Sequence, residues 1–179
     1  MPLEYLDILD ETGKKTGEVK DYFHVHEKGL THLVAHVYIL NSEGELLLQQ
    51  RSSDRKAFPD YWDISSAGHV SAGQKSVEAA QRETEEELGL VIPLEKFEYF
   101  HSGEEHIVID KDTYVNNEFQ DAFVVRLDEE NPKIEIDPVE VQNIQWVSIE
   151  KLKSLAKDPE FNLVDHTEEF EAFFKHIVA

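Results

Sequence analysis

The most constraining feature of this sequence is one strongly acidic helix whose carboxylates gather on one side. Good helix-forming residues fill Ser76–Leu88, and Gly89 stands where such a helix typically ends. Successive helical residues are rotated by ~100°, so Glu83, Glu86 and Glu87 fall within an arc of about 100°. A neighbouring arc carries the small or apolar residues Val77, Ala80, Thr84 and Leu88. The helix can therefore pack one side on a core and present carboxylates beside it.

Stability alone does not favour these clustered glutamates. Like charges one turn apart repel, and carboxylates near the end of a helix face the negative pole of its dipole. A solvated acidic face is the ordinary interpretation of such a run. A hard divalent cation with oxygen ligands is the functional one, and Mg²⁺ is the usual ion where phosphates are the substrate. The spacing of the residues around the helix decides between the two.

That spacing resembles the Nudix box, which consists of Gly, any five residues, Glu, any seven residues, and then Arg-Glu-aliphatic-any-Glu-Glu-any-Gly-aliphatic. The matching residues are Gly68, Arg82, Glu83, Glu86, Glu87, Gly89 and Leu90. The resemblance covers roughly residues 30–155. It implies an α/β (α+β) fold, the Nudix-type α/β/α sandwich with a mixed central sheet. It also implies an enzyme that hydrolyses a diphosphate bond in a nucleoside-diphosphate-linked or related small molecule.

Two box positions depart from the pattern. Thr84 stands where an aliphatic residue is usual, and its methyl group can pack inward. Gln74 stands where the family has a glutamate that helps to hold the box arginine. We expect Glu78, one turn before Arg82 in the favourable order, to supply that missing partner.

By resemblance, the acidic cluster would hold Mg²⁺, with Mn²⁺ as an alternative. The expected ligands are Glu83, Glu86, Glu87 and the carbonyl oxygen of Gly68. Such ions neutralise charge on phosphate oxygens and supply a nucleophile near neutral pH, while a carboxylate takes up the proton. Arg82 would orient the glutamates. With Arg82, the predicted catalytic residues are Glu83, Glu86 and Glu118, and the sequence does not say which carboxylate is the base.

The flanks of the box resemble one branch of the family, the isopentenyl-diphosphate isomerase-like proteins. The segments concerned are Leu30-Thr31-His32, Leu46–Arg51, Pro59–Asp63, Gly68-His69 and Asn117-Glu118. In the isomerases, histidines at positions like His26, His32 and His69 join glutamates to bind a metal. Glu118 matches one such glutamate and Asn116 replaces another. His32 and His69 are therefore secondary candidates for metal ligands. The alternative is that His32 caps a strand and that His69 forms a hydrogen bond in a loop.

One substitution separates this chain from the isomerases. Their reaction needs a cysteine immediately before the Gly-His pair, where this chain has Ala67, and the chain contains no cysteine. Three functions are therefore compared. A hydrolase fits the intact Arg82-Glu83 and Glu86-Glu87 pairs. A non-catalytic module that senses a nucleotide or metal is supported mainly by Gln74, and an isomerase is opposed by Ala67.

A small basic cluster precedes the box in an otherwise very acidic chain. Arg51, Arg55 and Lys56 are close in sequence, and they could receive substrate phosphates. The alternative is ordinary surface charge. The formal net charge is −21, which opposes binding to duplex nucleic acid and to anionic membranes. The predicted partner is a small-molecule diphosphate, and a homodimer is left open.

The chain organisation predicts one domain, residues 1–179, with residues 1–28 as an N-terminal β extension packed on it. The N-terminus lacks the basic start and apolar core of a signal peptide, so a cytoplasmic location is expected. Strands are predicted at residues 3–9, 17–23, 31–40, 45–51, 95–101, 106–109, 118–126 and 143–147, with a short strand within 63–70. Besides the acidic helix, helices are predicted at 149–156 and 167–177.

Overall fold

The structure, a computed structural model, describes residues 4–110 and 114–178. It begins with a hairpin of β1 (Tyr5–Leu9) and β2 (Lys15–Asp21), followed by helix α1 (Tyr22–Lys28). The remaining elements are β3 (His32–Leu40), β4 (Leu46–Arg51), β5 (Trp62–Asp63), β6 (Ser66–His69), α2 (Ser76–Leu88), β7 (Glu98–Asp110), β8 (Tyr114–Arg126), β9 (Val141–Val147), α3 (Ile149–Leu155) and α4 (Thr167–His176). A short 3₁₀ turn, Leu94–Lys96, precedes β7.

Strands β3 to β9 form one mixed sheet in the order β5-β4-β3-β8-β7, with β6 paired to β3 and β9 paired to β4. Strands β3 and β8 run parallel, in register from the pair His32–Glu118 to the pair Leu40–Arg126. The other strand pairs of the sheet are antiparallel. The mixed central sheet predicted from the sequence is confirmed.

Helices cover both faces of this sheet because the side chains of β3 alternate between them. Ala35, Val37 and Ile39 pack with the apolar residues of α2 on what we call the α2 face. Tyr38 and Leu40 pack with apolar residues of α3 and α4 on the opposite side, the α4 face. The predicted α/β/α sandwich is therefore confirmed.

The N-terminal hairpin packs beside the segment that leads into α2. Leu6 and Val25 are fully buried in a small cluster of their own. The amide of Ala72 donates to the carbonyl of Tyr5 at 2.7 Å, and the amide of Gly73 donates to the carboxylate of Asp7 at 2.8 Å. These contacts agree with an extension that packs on the main domain, and the domain boundary itself stays a prediction.

Two predicted elements were wrong in detail. The strand expected at 17–23 ends at Asp21, whose carboxylate accepts from the amide of His24 and begins α1. Gly29 ends that helix in the left-handed region, with φ of 59°. The two strands expected at 95–101 and 106–109 are one continuous strand, β7, because pairing with β8 carries the chain straight through Gly103. In the part of the chain that the structure describes, no helix combines the length and apolarity needed to cross a membrane.

Candidate active site

The acidic face of α2 lies directly against the backbone of β6. Gly68 pairs with Ala35 in the middle of the sheet, on the α2 face. A Cβ atom built on Gly68 would overlap the carboxyl carbon of Glu83, so this position admits only glycine without displacement of Glu83. The box glycine therefore sets how closely the first glutamate approaches the strand.

Arg82 connects this acidic cluster to the end of strand β6. Its Nη1 donates to Glu83 Oε1 at 2.6 Å and to Glu86 Oε2 at 3.0 Å, and its Nη2 donates to the carbonyl of His69 at 2.8 Å. The expectation that Glu78 holds Arg82 was wrong. The carboxylate of Glu78 accepts from the backbone amide of Lys75 at 3.0 Å, because the first turn of the helix leaves that donor otherwise unsatisfied.

Gln74 also acts locally. Its side-chain oxygen accepts from the backbone amide of Ser71 at 3.3 Å and so fixes the turn before α2. The place of the missing box glutamate is therefore taken by contacts of Arg82 with Glu83, Glu86 and a backbone carbonyl. The spacing of the residues alone predicted neither the hydrogen bond of Gln74 nor the partners of Arg82.

Two of the three clustered carboxylates are buried. Burial, followed by repulsion from Glu87, raises the pKa of Glu83 to about 8. Burial likewise raises the pKa of Glu87 to about 7. The carboxylate of Glu87 accepts from Gln49 Nε2 at 3.2 Å and from the amide of Ala67 at 3.3 Å, whereas Glu86 is exposed. Buried carboxylates in this state are short of positive charge, which is what a divalent cation supplies.

A second cluster lies on the other side of β6, on the α4 face. Among the described residues, one ligand atom from each of His26, His32, His69 and Glu118 lies within 4.8 Å of every other. The Nε2 atoms of the three histidines are buried and have no hydrogen-bond partner there. Glu118 Oε1 lies 3.5 Å from His32 Nε2. Four potential ligands thus converge on one point.

Hydrogen bonds at the far ring nitrogens orient two of these imidazoles. His26 Nδ1 lies 2.8 Å from the carbonyl of Tyr22, and His32 Nδ1 lies 2.9 Å from the carbonyl of Leu30. A carbonyl accepts only, so each Nδ1 is the donor, and in the neutral ring Nε2 is then the nitrogen that carries the free lone pair. Burial lowers the pKa of His26, and burial with the neighbouring His32 lowers the pKa of His69 well below its ordinary value. Neutral imidazoles in this arrangement suit a transition metal such as Zn²⁺.

The predicted basic residues reach the site to different degrees. Arg51 donates to Asp63 Oδ2 at 3.0 Å and to the carbonyl of Ala57 at 3.1 Å, so its side chain is held in a buried pair. Arg55 pairs with Glu140 at 2.6 Å. Lys56 Nζ lies 4.6 Å above the ring centre of Tyr114, which stacks on the ring of His26. Lys56 is therefore connected to the histidine cluster through the ring of Tyr114.

A third group of buried ionisable side chains was not predicted. His36 Nδ1 lies 3.0 Å from Glu169 Oε1, and Tyr38 donates to the same oxygen at 2.7 Å. His166 Nε2 lies 2.8 Å from Asp63 Oδ1. These pairs join the sheet to α4 and satisfy one another. Because Glu169 is 133 positions from His36 in sequence, no local spacing could have indicated the pair.

The structure thus assembles the predicted site residues in two neighbouring groups. Glu83, Glu86, Glu87, Arg82 and Gly68 meet on the α2 face. His32, His69 and Glu118 meet on the α4 face, where His26 joins them. The sequence offered His26 only through the isomerase resemblance, because a histidine in a short N-terminal segment carries no spacing signal of its own.

Comparison with known proteins gives a family for this arrangement. A family model described as the NUDIX domain matches residues 30–166. Nudix hydrolase 3 of Arabidopsis thaliana is 36% identical over 179 residues, covering 97% of this chain, and this chain spans only 23% of that protein's length. A Nudix hydrolase of Listeria innocua, named as uncharacterized, is 34% identical and covers 89% of this chain, which spans 88% of it.

An isomerase and a solved structure complete the comparison. Isopentenyl-diphosphate Delta-isomerase 2 of Photorhabdus laumondii is 31% identical over 131 residues, covering 73% of this chain and 70% of the isomerase. The crystal structure of DR0079 from Deinococcus radiodurans superimposes with a TM-score of 0.70 at 20% identity, covering 94% of this chain and 98% of that one. At that identity, the structural likeness concerns the fold.

Proposed function

Because this chain belongs to the Nudix family of hydrolases, which act on pyrophosphate bonds, we propose that it hydrolyses the diphosphate bond of a nucleoside-diphosphate-linked or related small molecule with Mg²⁺. One observation carries the proposal. Glu83, Glu86 and Glu87 meet at a single edge of α2, with Glu83 seated on Gly68 and Arg82 beside them. A solvated acidic face would not bury two of its three carboxylates.

The donor set fits Mg²⁺. It consists of hard oxygen atoms, with three carboxylates and the nearby carbonyl of Gly68, and it leaves Glu83 and Glu87 with raised pKa values. When bound, Mg²⁺ would neutralise charge on the phosphate oxygens and provide a water nucleophile near neutral pH. Mn²⁺ accepts the same ligands and is the alternative.

The remaining roles belong to side chains of the chain itself. Arg82 holds the carboxylates of Glu83 and Glu86 in place through two hydrogen bonds. Arg55 is half-buried and Lys56 is exposed, and both would attract substrate phosphates. Their positive charge would offset the repulsion expected from a chain of net charge −21. Arg51 stays a proposed ligand of the substrate phosphates, and its ion pair with Asp63 would orient its guanidinium group. Glu83, Glu86 and Glu118 stay the candidates for the proton acceptor.

The histidine cluster supports a second bound metal. Three Nε2 atoms that have no hydrogen-bond partner among the described residues form, with the carboxylate of Glu118, a nitrogen-rich set that suits Zn²⁺ better than Mg²⁺. Asn116 contributes a further buried oxygen, Oδ1, without a hydrogen-bond partner among the described residues. His32 and His69 thus stay proposed ligands, and His26 is added to them.

Hydrolysis is favoured over isomerisation by the residue before Gly68. Ala67 lies on the α4 face opposite His36 and has no titratable group. Protonating one face of a double bond and deprotonating the other needs a group that this position does not offer. The other expectations from the sequence, which are a cytoplasmic location, small-molecule partners without nucleic acid and an open question of dimerisation, stay predictions.

The test is release of the cleavage products with and without Mg²⁺. These products are two phosphomonoesters from ADP-ribose or UDP-glucose, and a monophosphate with inorganic phosphate from isopentenyl diphosphate. Glu85, an exposed glutamate of the same helix, supplies the control, so the wild type is compared with Glu86→Gln and Glu85→Gln. We expect Mg²⁺-dependent release from at least one substrate, lost only in Glu86→Gln. Equal release by Glu86→Gln would contradict the proposed site. Product formation from isopentenyl diphosphate in D₂O, followed by NMR, would instead favour isomerisation.

A further inference from the structure

The middle of the α4 face is polar where the sheet would ordinarily carry apolar residues. Successive inward positions of β8 are Asn116, Glu118 and Gln120, all buried, and the apolar residues Ala122 and Val124 follow only beyond them. The polar stretch begins beside the histidine cluster and ends where α4 covers the sheet. Burying three polar side chains in one strand costs free energy unless each finds a hydrogen-bond partner, so this run indicates contact with a ligand.

Two residues of this run carry a buried polar atom without a hydrogen-bond partner among the described residues, which are Asn116, beside the histidine cluster, and Gln120, farther along the strand. Gln120 is 6% exposed, and its Nε2 atom forms no hydrogen bond to any described residue. Leaving a buried amide donor unpaired is costly, so buried polar groups of this kind normally meet a protein group, a water molecule or a ligand.

The strand register places Gln120 in one row with the candidate metal site. Val34 pairs with His69 on one side and with Gln120 on the other, and Gln120 pairs with Gly103 on β7. The row therefore runs from His69 across Val34 to Gln120, with side chains on the α4 face. His69 lies in β6, which among the described residues pairs with no strand of the sheet except β3, and its carbonyl accepts from Arg82. A diphosphate bound at the acidic cluster on the α2 face would therefore bring its attached group to this row around the edge of β6.

Small and acidic neighbours complete the surroundings of Gln120. Gly103 carries no side chain, and the space beside it is bordered by His101 Nε2 and Gln120 Oε1. Glu105 pairs with Glu118 and is half-buried. An amide donor beside carboxyl oxygens suits a group that both accepts and donates hydrogen bonds, such as a sugar hydroxyl.

We propose that Gln120 is a specificity-determining residue, whose carboxamide binds a hydroxyl or carbonyl group of the moiety attached to the diphosphate. This inference rests on the proposed function and adds which residue selects the group attached to the diphosphate. A prenyl chain accepts no hydrogen bond, so its binding would leave Gln120 buried and unpaired. Diphosphates that carry hydroxyl groups are therefore preferred at this position.

The test measures binding, so that it does not depend on turnover. Dissociation constants for ADP-ribose, UDP-glucose, isopentenyl diphosphate and dimethylallyl diphosphate are determined by calorimetry with saturating Mg²⁺, in the Glu86→Gln background. Gln120→Met removes the carboxamide at nearly constant volume. Gln145→Met, at an exposed position of β9, is the matched control. If Gln120→Met does not fold by circular dichroism, Gln120→Asn withdraws the carboxamide instead.

We expect at least one hydroxyl-bearing diphosphate to bind tenfold or more tightly than both prenyl diphosphates. In Gln120→Met this preference falls to threefold or less, whereas Gln145→Met keeps it. The inference is overturned if a prenyl diphosphate binds as tightly as the hydroxyl-bearing ones, or if both glutamine variants give the same ratio. Failure of the proposed function shows separately, as absence of Mg²⁺-dependent turnover in the wild type with all four compounds.

Discussion

Gly68 and Glu83 touch so closely that a Cβ on the glycine would coincide with the carboxyl group of the glutamate. The contact joins the short strand β6 to the acidic face of α2, and residue Glu83 is only 8% exposed. The position of the first metal-binding candidate is therefore set by the absence of a side chain on the neighbouring strand.

Replacing Gly68 by alanine tests that contact. The added methyl group must displace Glu83 or shift β6, which should cost about 1–3 kcal/mol of unfolding free energy, the usual range for overpacking. Activity should fall further, roughly 100-fold, because Glu83 leaves its place beside Arg82. Urea denaturation and kcat/KM measure both effects. In a Glu83→Ala background the same substitution should cost clearly less stability, and an equal cost there would show that the clash lies elsewhere.

Glu86→Gln should remove most of the activity while the fold persists. Glu86 is exposed, so the substitution costs little stability, but it removes one charged oxygen from the proposed Mg²⁺ site. We expect kcat to fall roughly 10²–10³-fold, about 3–4 kcal/mol of transition-state stabilisation. Glu85→Gln should stay within a factor of two. Wild-type turnover by Glu86→Gln at saturating Mg²⁺ would show that the active site has been misassigned.

Gln74→Glu should leave activity nearly unchanged. The side-chain oxygen of Gln74 accepts from Ser71, and a carboxylate can accept the same hydrogen bond. Arg82 already has Glu83, Glu86 and the carbonyl of His69 as partners, so it gains little. We expect kcat/KM within about threefold of wild type and a tighter or equal Mg²⁺ dependence. A large loss of either would mean that the turn before α2 requires the neutral amide.

His26→Gln should abolish binding of a transition metal at the histidine cluster. The variant removes one of three converging Nε2 atoms, and loss of one ligand typically disables a four-ligand site. After incubation with Zn²⁺ and dialysis, we expect about one equivalent in the wild type and far less in the variant, measured by mass spectrometry of the metal. His106→Gln, on an exposed part of β7, should retain the metal. Equal metal content in all three proteins would remove the second metal from the proposal.

The buried pair of His36 and Glu169 should give the protein a pH-dependent stability. Burial opposes the charge of His36, but Glu169 outweighs it and raises the pKa to about 9 from 6.5. For Glu169 burial is likewise outweighed, by His36, and the pKa falls to about 2 from 4.5. The stabilisation from His36 is complete below pH 6.5 and is lost as pH rises through about 9. That from Glu169 is present above pH 4.5 and is lost as pH falls through about 2.

Glu169→Gln should therefore cost a few kcal/mol of unfolding free energy at pH 6 and much less at pH 10. Urea denaturation at the two pH values measures the difference, and comparison with the wild type cancels the other titrating groups. Glu168→Gln, at the exposed neighbouring position, should cost little at either pH. A cost for Glu169→Gln that is the same at both pH values would contradict the ion pair.

The α2 helix shows how much of the site was predictable. Its bounds, the shared side of Glu83, Glu86 and Glu87, and the end at Gly89 all follow from the helical period and from local propensities. The sheet and its mixed character were also predictable, since strongly apolar segments such as β3 leave few other solutions. These features depend on residues that are neighbours in sequence, and local chemistry determines them.

Two kinds of contact did not follow from helical spacing, which are a competing local cap at the start of α2 and contacts between distant segments. Glu78 was expected to hold Arg82, yet it satisfies the amide of Lys75, because an unpaired helix terminus competes for the same carboxylate. The acidic helix and the family resemblance of the chain follow from patterns among residues that are close in sequence. Strand register decided that His69, Glu118 and Gln120 share one face, because side chains alternate and a shift of one residue would turn them away.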